Sequence, residues 1–502
     1  MRAQPELADF VEAYESGRAQ IVSTTLVADL ETPVSAFLKL ADGRPNAFLF
    51  ESVEGGATIG RYSFLGRKPD LIWRCRDGRA EINRQAHYDL QSFEPLEGPP
   101  LETLRDLVAE SRIELPPGMP PMASALVGYM GYDMVRQMER LPDENPEILG
   151  VPESVFIRPS VIAVFDRVED LITVFSPVWP EAGLDAKAAY ARACERLSDV
   201  LVDFERSLPY RREPVEQAAE PPAPDSNMSR EEFHAMVERG KEYIFAGDVF
   251  QVVLSQRFSL PFALPPFALY RSLRRLNPSP FLFFLDLGGF SIVGSSPEIL
   301  VRLRDNEVTI RPLAGTRPRG RNAAEDKQLS EELLADPKER AEHLMLLDLG
   351  RNDVGRVASI GSVEVTDQFS IEYYSHVMHI VSNVVGRLAE GEDAMSALIA
   401  GFPAGTVSGA PKVRAMEIID ELEKDRRSIY AGTIGYFGAG GAMDTCIALR
   451  TALVQNNRVY VQAGGGVVAD SDPEAEYQES CNKARAVIRA AEEAMRYAAQ
   501  RG

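Results

Sequence analysis

Two segments of the sequence pair glutamates at a spacing that could bind a metal ion. DPKERAEH and DPEAEYQES each open with Asp-Pro, a favourable helix start, and continue with Glu-x-x-Glu. Because residues three apart share one helix face, Glu339 would lie beside Glu342, and Glu476 beside Glu479. Each glutamate alone is typical of a capping or solvated position. If all four converge, a hard divalent cation such as Mg2+ would offset their repulsion.

Two glycine-containing segments could bind an anion through backbone N–H groups. In VYVQAGGGVV a predicted strand ends at Gly464, Gly465 and Gly466, where N–H groups could converge, although a plain turn is equally compatible. FPAGTVSGAPK predicts a helix with Pro411 as its first residue and Lys412 near its N-terminus. The N-termini of helices attract anions. That segment lacks the Gly-Lys-Ser/Thr core of a nucleotide-binding P-loop.

The segment RPLAGTRPRG, at 311–320, combines small residues with arginines after a strand-like run. A small residue and a glycine at a strand end let another group approach the backbone, and the arginines indicate an anionic ligand.

Elsewhere, His379 opens a predicted strand, where a lone histidine is more often structural than catalytic. Arg450 falls in the apolar strand predicted for DTCIALRT. A buried arginine requires a carboxylate, either internal or from a ligand.

The composition excludes several classes of protein. The chain has 502 residues, of which 45% are apolar, and a formal net charge of -21. Nucleic-acid-binding proteins usually carry a basic surplus, so we expect no nucleic-acid partner, although a local pocket can still bind an anionic substrate. The four separated cysteines indicate neither a zinc site nor a disulfide framework. No apolar run reaches about 18 residues, the length of a membrane span. We therefore expect a cytoplasmic protein without a membrane partner.

The elements that must position these residues fall into two parts. Residues 211–228 are rich in Pro, Glu and Ala and predict a linker. Beyond it, SREEFHAMVERGKEY predicts a helix with Ser229 as its N-cap and Glu232 completing a capping box. Strands then occur in consecutive groups, which favours the α+β class with antiparallel sheets.

Seven motifs in the second part resemble, in order, those of one known family. They are PLAGTRPRG, DPKERAEHLMLLDLGRND, HIVSNVVG, PAGTVSGAPKVRAMEIID, YAGTIGYF, DTCIALRT and SDPEAEYQESCNKA. With FLFESVEGGATIGRYSFLG upstream, they resemble the anthranilate synthase component I family of chorismate-utilising enzymes. The resemblance implies an α+β fold, an αββα sandwich with two antiparallel sheets packed orthogonally and helices outside. It also implies an anthranilate synthase N-terminal domain at 1–210, the linker at 211–228 and a chorismate-binding catalytic domain at 229–502.

The resemblance assigns a magnesium site and a substrate site. Glu342 and Glu479 would bind Mg2+ directly, Glu339 and Glu476 would bind it through water, and the ion would anchor the ring carboxylate of chorismate. The residues implied to contact the substrate are Gly315, Thr316, Tyr430, Arg450, Gly464, Gly465, Gly466 and Lys412. The first two would line the ring, and the tyrosine, the arginine and the glycine backbone would bind the enolpyruvyl carboxylate. The family usually has Gly-Ala-Gly where this chain has three glycines.

The resemblance also assigns the catalytic residues Glu298, His379 and Thr406. Glu298 would protonate the departing C4 hydroxyl, which is otherwise a poor leaving group, and His379 would take the C2 proton as pyruvate is eliminated. Relatives that add water have a lysine base where this chain has Gln251. Aminodeoxychorismate synthases have a lysine nucleophile where it has Ala314. The absence of both lysines favours direct addition of ammonia at C2.

The implied activity is that of a lyase at the first committed step of tryptophan biosynthesis. Chorismate and ammonia would give anthranilate and pyruvate through 2-amino-2-deoxyisochorismate. The alternatives are aminodeoxychorismate synthase component I of folate synthesis and a non-catalytic tryptophan-binding homologue. No cysteine lies in a glutaminase nucleophile turn. Ammonia would therefore come from glutamine through a separate glutamine amidotransferase subunit, component II, in a heterotetramer with two copies of each chain.

Two segments resemble the family's feedback site for L-tryptophan. The residues concerned are Glu51, Ser52, Pro280, Phe281 and Leu282. The family often has Tyr-Met where this chain has Phe281 and Leu282, an exchange that retains the shape and loses a hydroxyl. Ordinary core packing is the alternative explanation for both segments.

Overall fold

The structure, a computed structural model, describes residues 2–54, 58–208, 222–374 and 377–500. The helices in these ranges are α1 (Leu7–Glu15), α2 (Pro33–Leu40), α3 (Pro100–Glu110), α4 (Ala186–Glu205), α5 (Arg230–Ala246), α6 (Pro266–Leu276), α7 (Ala323–Ala335), α8 (Pro337–Gly355), α9 (Ala394–Gly401), α10 (Gly405–Ser408), α11 (Lys412–Leu422) and α12 (Pro473–Gln500). None of these helices is long and apolar enough to cross a membrane.

The strands of the same ranges follow one another in groups. They are β1 (Gln20–Val27), β2 (Ala47–Glu54), β3 (Thr58–Arg76), β4 (Arg79–Asn83), β5 (Glu94–Pro95), β6 (Ala125–Met130), β7 (Ser154–Asp166), β8 (Leu171–Val178), β9 (Asp225–Ser226), β10 (Gln251–Pro261), β11 (Phe281–Asp286), β12 (Ser291–Ser296), β13 (Ile299–Arg304), β14 (Glu307–Ile310), β15 (Leu313–Pro318), β16 (Glu364–Tyr373), β17 (Val377–Arg387), β18 (Gly409–Ala410), β19 (Thr433–Gly438), β20 (Met443–Ile447), β21 (Thr451–Gln455) and β22 (Arg458–Val467).

The pairing of these strands is antiparallel, which confirms the predicted combination of helices with antiparallel sheet. The strands join one hydrogen-bonded network that extends from the first part of the chain into the second. β2 pairs with β11, with Glu51 opposite Leu282, and β6 pairs with β19, with Gly128 opposite Gly435. Strands from both sides of the predicted linker therefore stabilise each other.

Most of the predicted linker lies outside the described residues, which omit 209–221. Its last part contains β9, whose Ser226 lies opposite Phe258 of β10. The division of the chain into domains at 1–210 and 229–502 stays a prediction.

The helix starts expected from local sequence are confirmed. Ser229 Oγ accepts the N–H of Glu232 at 3.2 Å, and the Glu232 carboxylate accepts the N–H of Ser229 at 2.7 Å, forming the capping box of α5. Asp336 Oδ1 accepts the N–H of Lys338 at 3.0 Å at the start of α8. Asp472 Oδ1 accepts a backbone N–H at 2.9 Å at the start of α12. The caps of α8 and α12 fix the first turns, which carry Glu339 and Glu476, and Glu342 and Glu479 follow in the second turns.

The expected start of α11 was wrong by one residue. Pro411 is the N-cap, and the helix begins at Lys412. The preceding residues Gly409 and Ala410 form β18, which pairs with β10 and keeps the chain extended. Gly409 has φ of +135°, and an added Cβ would lie 2.2 Å from the backbone oxygen of Gln251. Pairing with a distant strand, which the local sequence does not reveal, delays the helix.

The three largest clusters of buried apolar side chains among the described residues each join several elements. The first packs α1, α2, α4, α6 and α12 against strands, and the second packs α3, α8, α9 and α11 against strands. The third consists mainly of strand residues, such as Phe48, Val127 and Phe283. Each cluster contains residues from before and after the predicted linker, so burial of apolar surface joins the two parts.

Candidate active site

A β-bulge brings three predicted substrate-site residues together. β15 pairs with β17 so that Thr316 lies opposite His379, and the register shifts between Ala314 and Thr316. The extra residue is Gly315, whose φ of +73° is a left-handed conformation that favours glycine. An added Cβ at this position would lie 3.1 Å from a carboxylate oxygen of Glu339. The bulge therefore places Gly315 between His379 and the glutamates of α8.

His379 is held in one tautomer and in its neutral form. Its Nδ1 lies 2.9 Å from the carbonyl oxygen of Gly315 and 3.0 Å from the hydroxyl of Thr316. A carbonyl oxygen only accepts hydrogen bonds, so Nδ1 carries the proton and Nε2 holds the lone pair. Burial lowers the pKa of His379 to about 4. At neutral pH the imidazole can therefore accept a proton at Nε2.

Glu298 is held in the opposite state, as a protonated acid. It lies between β12 and β13 and is only 6% exposed. Burial raises the pKa of Glu298 to about 8, although the Thr406 hydroxyl and the N–H of Leu313 oppose the shift. The carboxyl can therefore donate a proton at neutral pH. The Thr406 hydroxyl itself is buried and makes no hydrogen bond of standard geometry within the described part of the chain.

The four glutamates predicted to surround a metal ion converge at the starts of α8 and α12. Burial raises the pKa of Glu342, and the charges of Glu339 and Glu479 raise it further. Burial also raises the pKa of Glu476, with Glu479 again adding to the shift. The geometry agrees, because an added Cβ at Gly465 would lie 2.7 Å from Glu476 Oε2 and 3.3 Å from Glu479 Oε1, and one at Gly466 would lie 2.2 Å from the amide nitrogen of Gln251, which donates to Glu342 Oε1 at 3.3 Å. The two helices thus bring the two pairs into one acidic cluster.

This acidic cluster is suited to a cation, although its side chains do not form a closed ligand set. Within the described ranges, no three His, Cys, Asp or Glu side chains are grouped so as to hold a metal ion. Arg317 pairs with Glu339 at 2.8 Å, and Lys483 pairs with Glu479 at 2.6 Å. One oxygen of Glu476, Oε2, is buried without a hydrogen-bond partner among the described residues. An unsatisfied carboxylate oxygen beside like charges fits the oxygen ligands that Mg2+ prefers.

The three glycines at 464–466 lie at the end of a strand, as expected, and the strand continues one residue further, to Val467. They lie within β22 and pair with β10. An added Cβ at Gly464 would lie 2.2 Å from the backbone oxygen of Leu254, and one at Gly465 would lie 2.7 Å from Glu476 Oε2. Gly464 is therefore required by the close approach of the neighbouring strand, whereas an alanine at position 465, as the family usually has, would only displace the ends of the α12 carboxylates.

The arginines of the segment at 311–320 bind internal carboxylates, so their charge is already neutralised within the protein and the expected anionic ligand stays a prediction. The segment passes the acidic first turns of α7 and α8, and β16, on the other edge of β17, supplies a further carboxylate. The pairs are Arg311 with Glu372, Arg317 with Asp336 and Glu339, and Arg319 with Asp326.

Arg450 lies between β20 and β21, with φ of +49°, rather than in the strand expected from its apolar neighbours. Burial lowers the pKa of Arg450, and the nearby Tyr430, Glu479 and Glu298 oppose the shift. Within the described residues no carboxylate forms an ion pair with it, unlike the arginines of β15. Burial also raises the pKa of Tyr430 to about 12, so its hydroxyl stays protonated. A buried guanidinium beside such a hydroxyl is suited to a ligand carboxylate.

Two lysines lie near the acidic cluster, and the sequence predicted a role at the site for only one of them. Lys412, expected near the substrate, places its Nζ 2.9 and 3.0 Å from the carboxylate oxygens of buried Asp353, so an internal partner neutralises its charge. Lys483 was not anticipated. It donates to the carbonyl of Gly464 at 2.9 Å and pairs with Glu479. Its position one helical turn after Glu479 is a signal that could have identified it.

The predicted tryptophan-binding residues come together on β2 and β11. Glu51 and Ser52 lie on β2, Phe281 and Leu282 lie on the neighbouring β11, and Pro280 precedes it. The buried Glu51 carboxylate accepts hydrogen bonds from Tyr270 Oη at 2.6 Å and from Arg274 at 2.6 and 2.9 Å. Glu51 is thus anchored internally, and Ser52, which is half-buried, is the more accessible of the two β2 residues.

Comparison with known proteins identifies the family. Residues 66–489 match the family described as chorismate binding enzyme. Anthranilate synthase component 1 of Cereibacter sphaeroides is 60% identical over 493 residues, which cover 98% of each chain. This chain belongs to the anthranilate synthase component 1 family. Another family member, from Thermus thermophilus, is 48% identical over 93% of this chain and 97% of its own.

Solved structures share the fold of this family member. The crystal structure of anthranilate synthase component I from Streptococcus pneumoniae superposes with a TM-score of 0.74 at 37% identity, over 85% of this chain and 92% of that one. The menaquinone-specific isochorismate synthase of Escherichia coli superposes with a TM-score of 0.68 over 97% and 98% of the chains. At 19% identity, that second similarity concerns the fold alone.

The protonation of Glu298 can be measured directly. Since burial raises its pKa to about 8, we expect the acid form at pH 7 and its loss as the pH rises through 8. Infrared difference spectra between the parent and Glu298→Gln should contain a protonated carboxyl band at pH 7 that fades near pH 8. A band that fades near the ordinary glutamate pKa of about 4.3 would contradict the account.

Proposed function

We propose that this chain converts chorismate and ammonia into anthranilate and pyruvate. Its relatives named anthranilate synthase component 1 support the proposal. The observation that carries it is the pairing of a protonated Glu298 with a neutral His379 around one strand. The Glu298 carboxyl lies against the N–H of Leu313 at the start of β15, and His379 lies opposite Thr316 of the same strand. One group can donate a proton while the other accepts one, as an addition followed by an elimination requires.

The first step is the addition of ammonia at C2 of chorismate. The new C–N bond forms as the C4–O bond breaks, and Glu298 protonates the departing hydroxyl, which leaves as water. Ammonia brings its own lone pair and needs no enzyme nucleophile, consistent with Ala314 and with the amide of Gln251 at the two positions where relatives have lysine. The added nitrogen then loses a proton, giving 2-amino-2-deoxyisochorismate.

The second step is the elimination of pyruvate. His379 Nε2 takes the C2 proton, the bond from the ring to the enolpyruvyl oxygen breaks, and the ring becomes aromatic. In this proposal Arg450, Tyr430 and the backbone at 464–466 bind the enolpyruvyl carboxylate. Gly315 and Thr316 lie against the ring. The absence of an internal ion pair at Arg450, within the described residues, supports its assignment to the substrate.

The acidic cluster is the proposed Mg2+ site. Glu342 and Glu479 would bind the ion directly, and Glu339 and Glu476 would hold it through water. When bound, Mg2+ would supply positive charge for the ring carboxylate of chorismate. The unsatisfied oxygen of Glu476 and the raised pKa values of Glu342 and Glu476 support this assignment.

The proposal includes a partner, an effector and an architecture. The words component 1 in the names of the relatives support a second component, a glutamine amidotransferase subunit that supplies ammonia in an assembly with two copies of each chain. The pairing of β2 with β11 supports a shared site for L-tryptophan as feedback inhibitor. Two helix-covered cores and one strand-lined core support an αββα sandwich, with a chorismate-binding domain at 229–502 and an N-terminal domain at 1–210.

A defined assay tests the proposed reaction. The purified chain, supplied with chorismate, Mg2+ and ammonium salt, should produce anthranilate, detected by its fluorescence, together with an equal amount of pyruvate. Glutamine should not replace ammonium unless the glutaminase subunit is added. Aminodeoxychorismate as the product, or no consumption of chorismate, would refute the proposal. Glutamine-driven product from the isolated chain would refute the separate source of ammonia.

Neutralising the proposed metal ligands should abolish turnover while leaving the fold intact. Glu342→Gln and Glu479→Gln each remove an anionic oxygen donor, and we expect a loss of kcat/KM of about 100-fold or more, at the upper end of effects seen around metal sites. Glu474→Gln is the matched control, because Glu474 lies in the first turn of α12 but pairs with exposed Arg230. Mg2+ dependence equal to that of the parent in either variant would place the metal elsewhere.

Filling the proposed effector site should relieve inhibition by tryptophan. Ser52→Phe adds a large ring beside β11, so we expect weaker inhibition with nearly unchanged ammonia-dependent activity. Ser52→Ala, which leaves the space open, should remain inhibited. Initial rates at several tryptophan concentrations provide the measurement, and equal inhibition of Ser52→Phe and the parent would move the effector away from this strand.

A lysine at position 314 should interfere with the reaction. Ala314 is buried on β15, one residue before the bulge, so a lysine there would compete with ammonia for C2 or crowd the ring. We expect Ala314→Lys to lose most anthranilate formation. Intact-mass measurements during turnover should find no adduct on the parent. Ala314→Met separates crowding from an adduct, since only the lysine variant can trap substrate. Normal output from Ala314→Lys would place this position outside the reaction path.

A further inference from the structure

Arg427 is a buried cation that the proposed chemistry does not use. It is 2% exposed and lies between the end of α11 and Tyr430. Its Nε donates to Glu423 Oε2 at 2.9 Å, and its Nη2 donates to Glu423 Oε1 at 2.6 Å. Transferring both charges from water costs energy that their attraction only partly offsets, so such a pair is a poor source of net stability. The remaining donors of the guanidinium indicate a different role.

Those donors bind the backbone beside residues assigned to the substrate. Nη1 donates to the carbonyl of Val407 at 2.7 Å, directly after Thr406. Nη2 donates to the carbonyl of Val253 at 2.7 Å, and Val253 lies opposite Gly466 in the pairing of β10 with β22. The guanidinium carbon also lies 5.5 Å from the centre of the Tyr430 ring. One planar group thus contacts three elements that meet at the site.

Glu423 extends the same network into β10. Its Oε1 accepts both the N–H of Ser255, at 2.9 Å, and the Ser255 hydroxyl, at 2.7 Å. Ser255 lies opposite Gly464, so the ion pair is connected to both ends of the three-glycine segment. A displacement of Arg427 would move α10, β10 and Tyr430 relative to one another.

We propose that Arg427 is a positioning residue for chorismate: its fork of donors fixes Thr406, Tyr430 and the glycines of β22 in the arrangement that binds the enolpyruvyl carboxylate. This inference rests on the proposed function of the site. Lysine has three donors on one nitrogen and cannot reproduce the planar fork, so position 427 requires arginine itself.

Two variants of the pair test this role. Arg427→Lys keeps the positive charge but loses the planar arrangement of the guanidinium N–H donors. Arg427→Met combined with Glu423→Gln removes both charges, which avoids an unpaired buried ion, and keeps an oxygen acceptor for Ser255. The matched control is Arg67→Lys, because Arg67 is equally buried and binds Asp203 and the carbonyl of Leu40, away from the proposed substrate residues.

The measurements separate positioning from stability. Calorimetric titration with chorismate and Mg2+, without ammonia, gives the Kd, and steady-state rates give KM for chorismate and for ammonium, at a temperature at which thermal scans find each variant folded. We expect both Arg427 variants to raise the Kd and the KM for chorismate about tenfold or more, with KM for ammonium unchanged. Arg67→Lys should lower Tm and leave chorismate binding unchanged.

The proposal is overturned if the folded Arg427 variants bind chorismate as tightly as the parent, or if Arg67→Lys weakens chorismate binding equally. If the double variant does not fold, the Kd of folded Arg427→Lys for chorismate, compared with that of the parent, tests the proposal. If the parent binds chorismate but forms no anthranilate, the proposed reaction fails while the titration still judges the role of Arg427.

Discussion

Repulsion among the carboxylates at the starts of α8 and α12 is the constraint on which the arrangement of the site depends. Helix caps at Asp336 and Asp472 fix the starts of the two helices, so the backbone positions of the glutamates that follow are set. Gly465 leaves room for the α12 pair beside β22, where an added Cβ would lie 2.7 Å from Glu476 Oε2 and 3.3 Å from Glu479 Oε1. Arg317 and Lys483 offset part of the charge. A divalent cation would offset the remaining negative charge and would in turn attract the carboxylate of an anionic substrate.

Burial sets the chemistry beside this cluster, and one physical effect produces two opposite proton states. Removing water disfavours the charged form of any group, so it raises the pKa of the carboxyl of Glu298 and lowers that of the imidazole of His379. The acid therefore keeps its proton and the base keeps its lone pair at the same neutral pH. The bulge at Gly315 adds direction, because its carbonyl binds Nδ1 of His379 and leaves Nε2 as the basic atom.

The sequence predicts the structural features that depend on residues close together in the chain, and it misses those that depend on contacts between distant segments. The caps of α5, α8 and α12 and the α+β class were confirmed, since both follow from local patterns. The strand end at 464–466 was predicted to within one residue, but the close approach of β10 and of the α12 carboxylates was not, and Arg450 lies outside the strand predicted for it, because these surroundings come from elements far away in the chain. The arginines at 311–320 suggested a ligand, but their carboxylate partners lie on other elements. The roles of Glu298 and His379 came from the order of the family motifs, and the cause of their proton states, burial, is visible only after folding.

The most direct test of the account is to locate a divalent cation. Crystals grown with chorismate and Mn2+, without ammonia, would give an anomalous-difference map in which manganese is identified by its own scattering. The account predicts one peak between α8 and α12, with Glu342 and Glu479 as protein ligands at about 2.2 Å and the ring carboxylate of chorismate beside it, as expected for oxygen donors on a small divalent ion. Bound chorismate with no manganese at these helix starts, or a manganese peak held by other residues, would contradict the account.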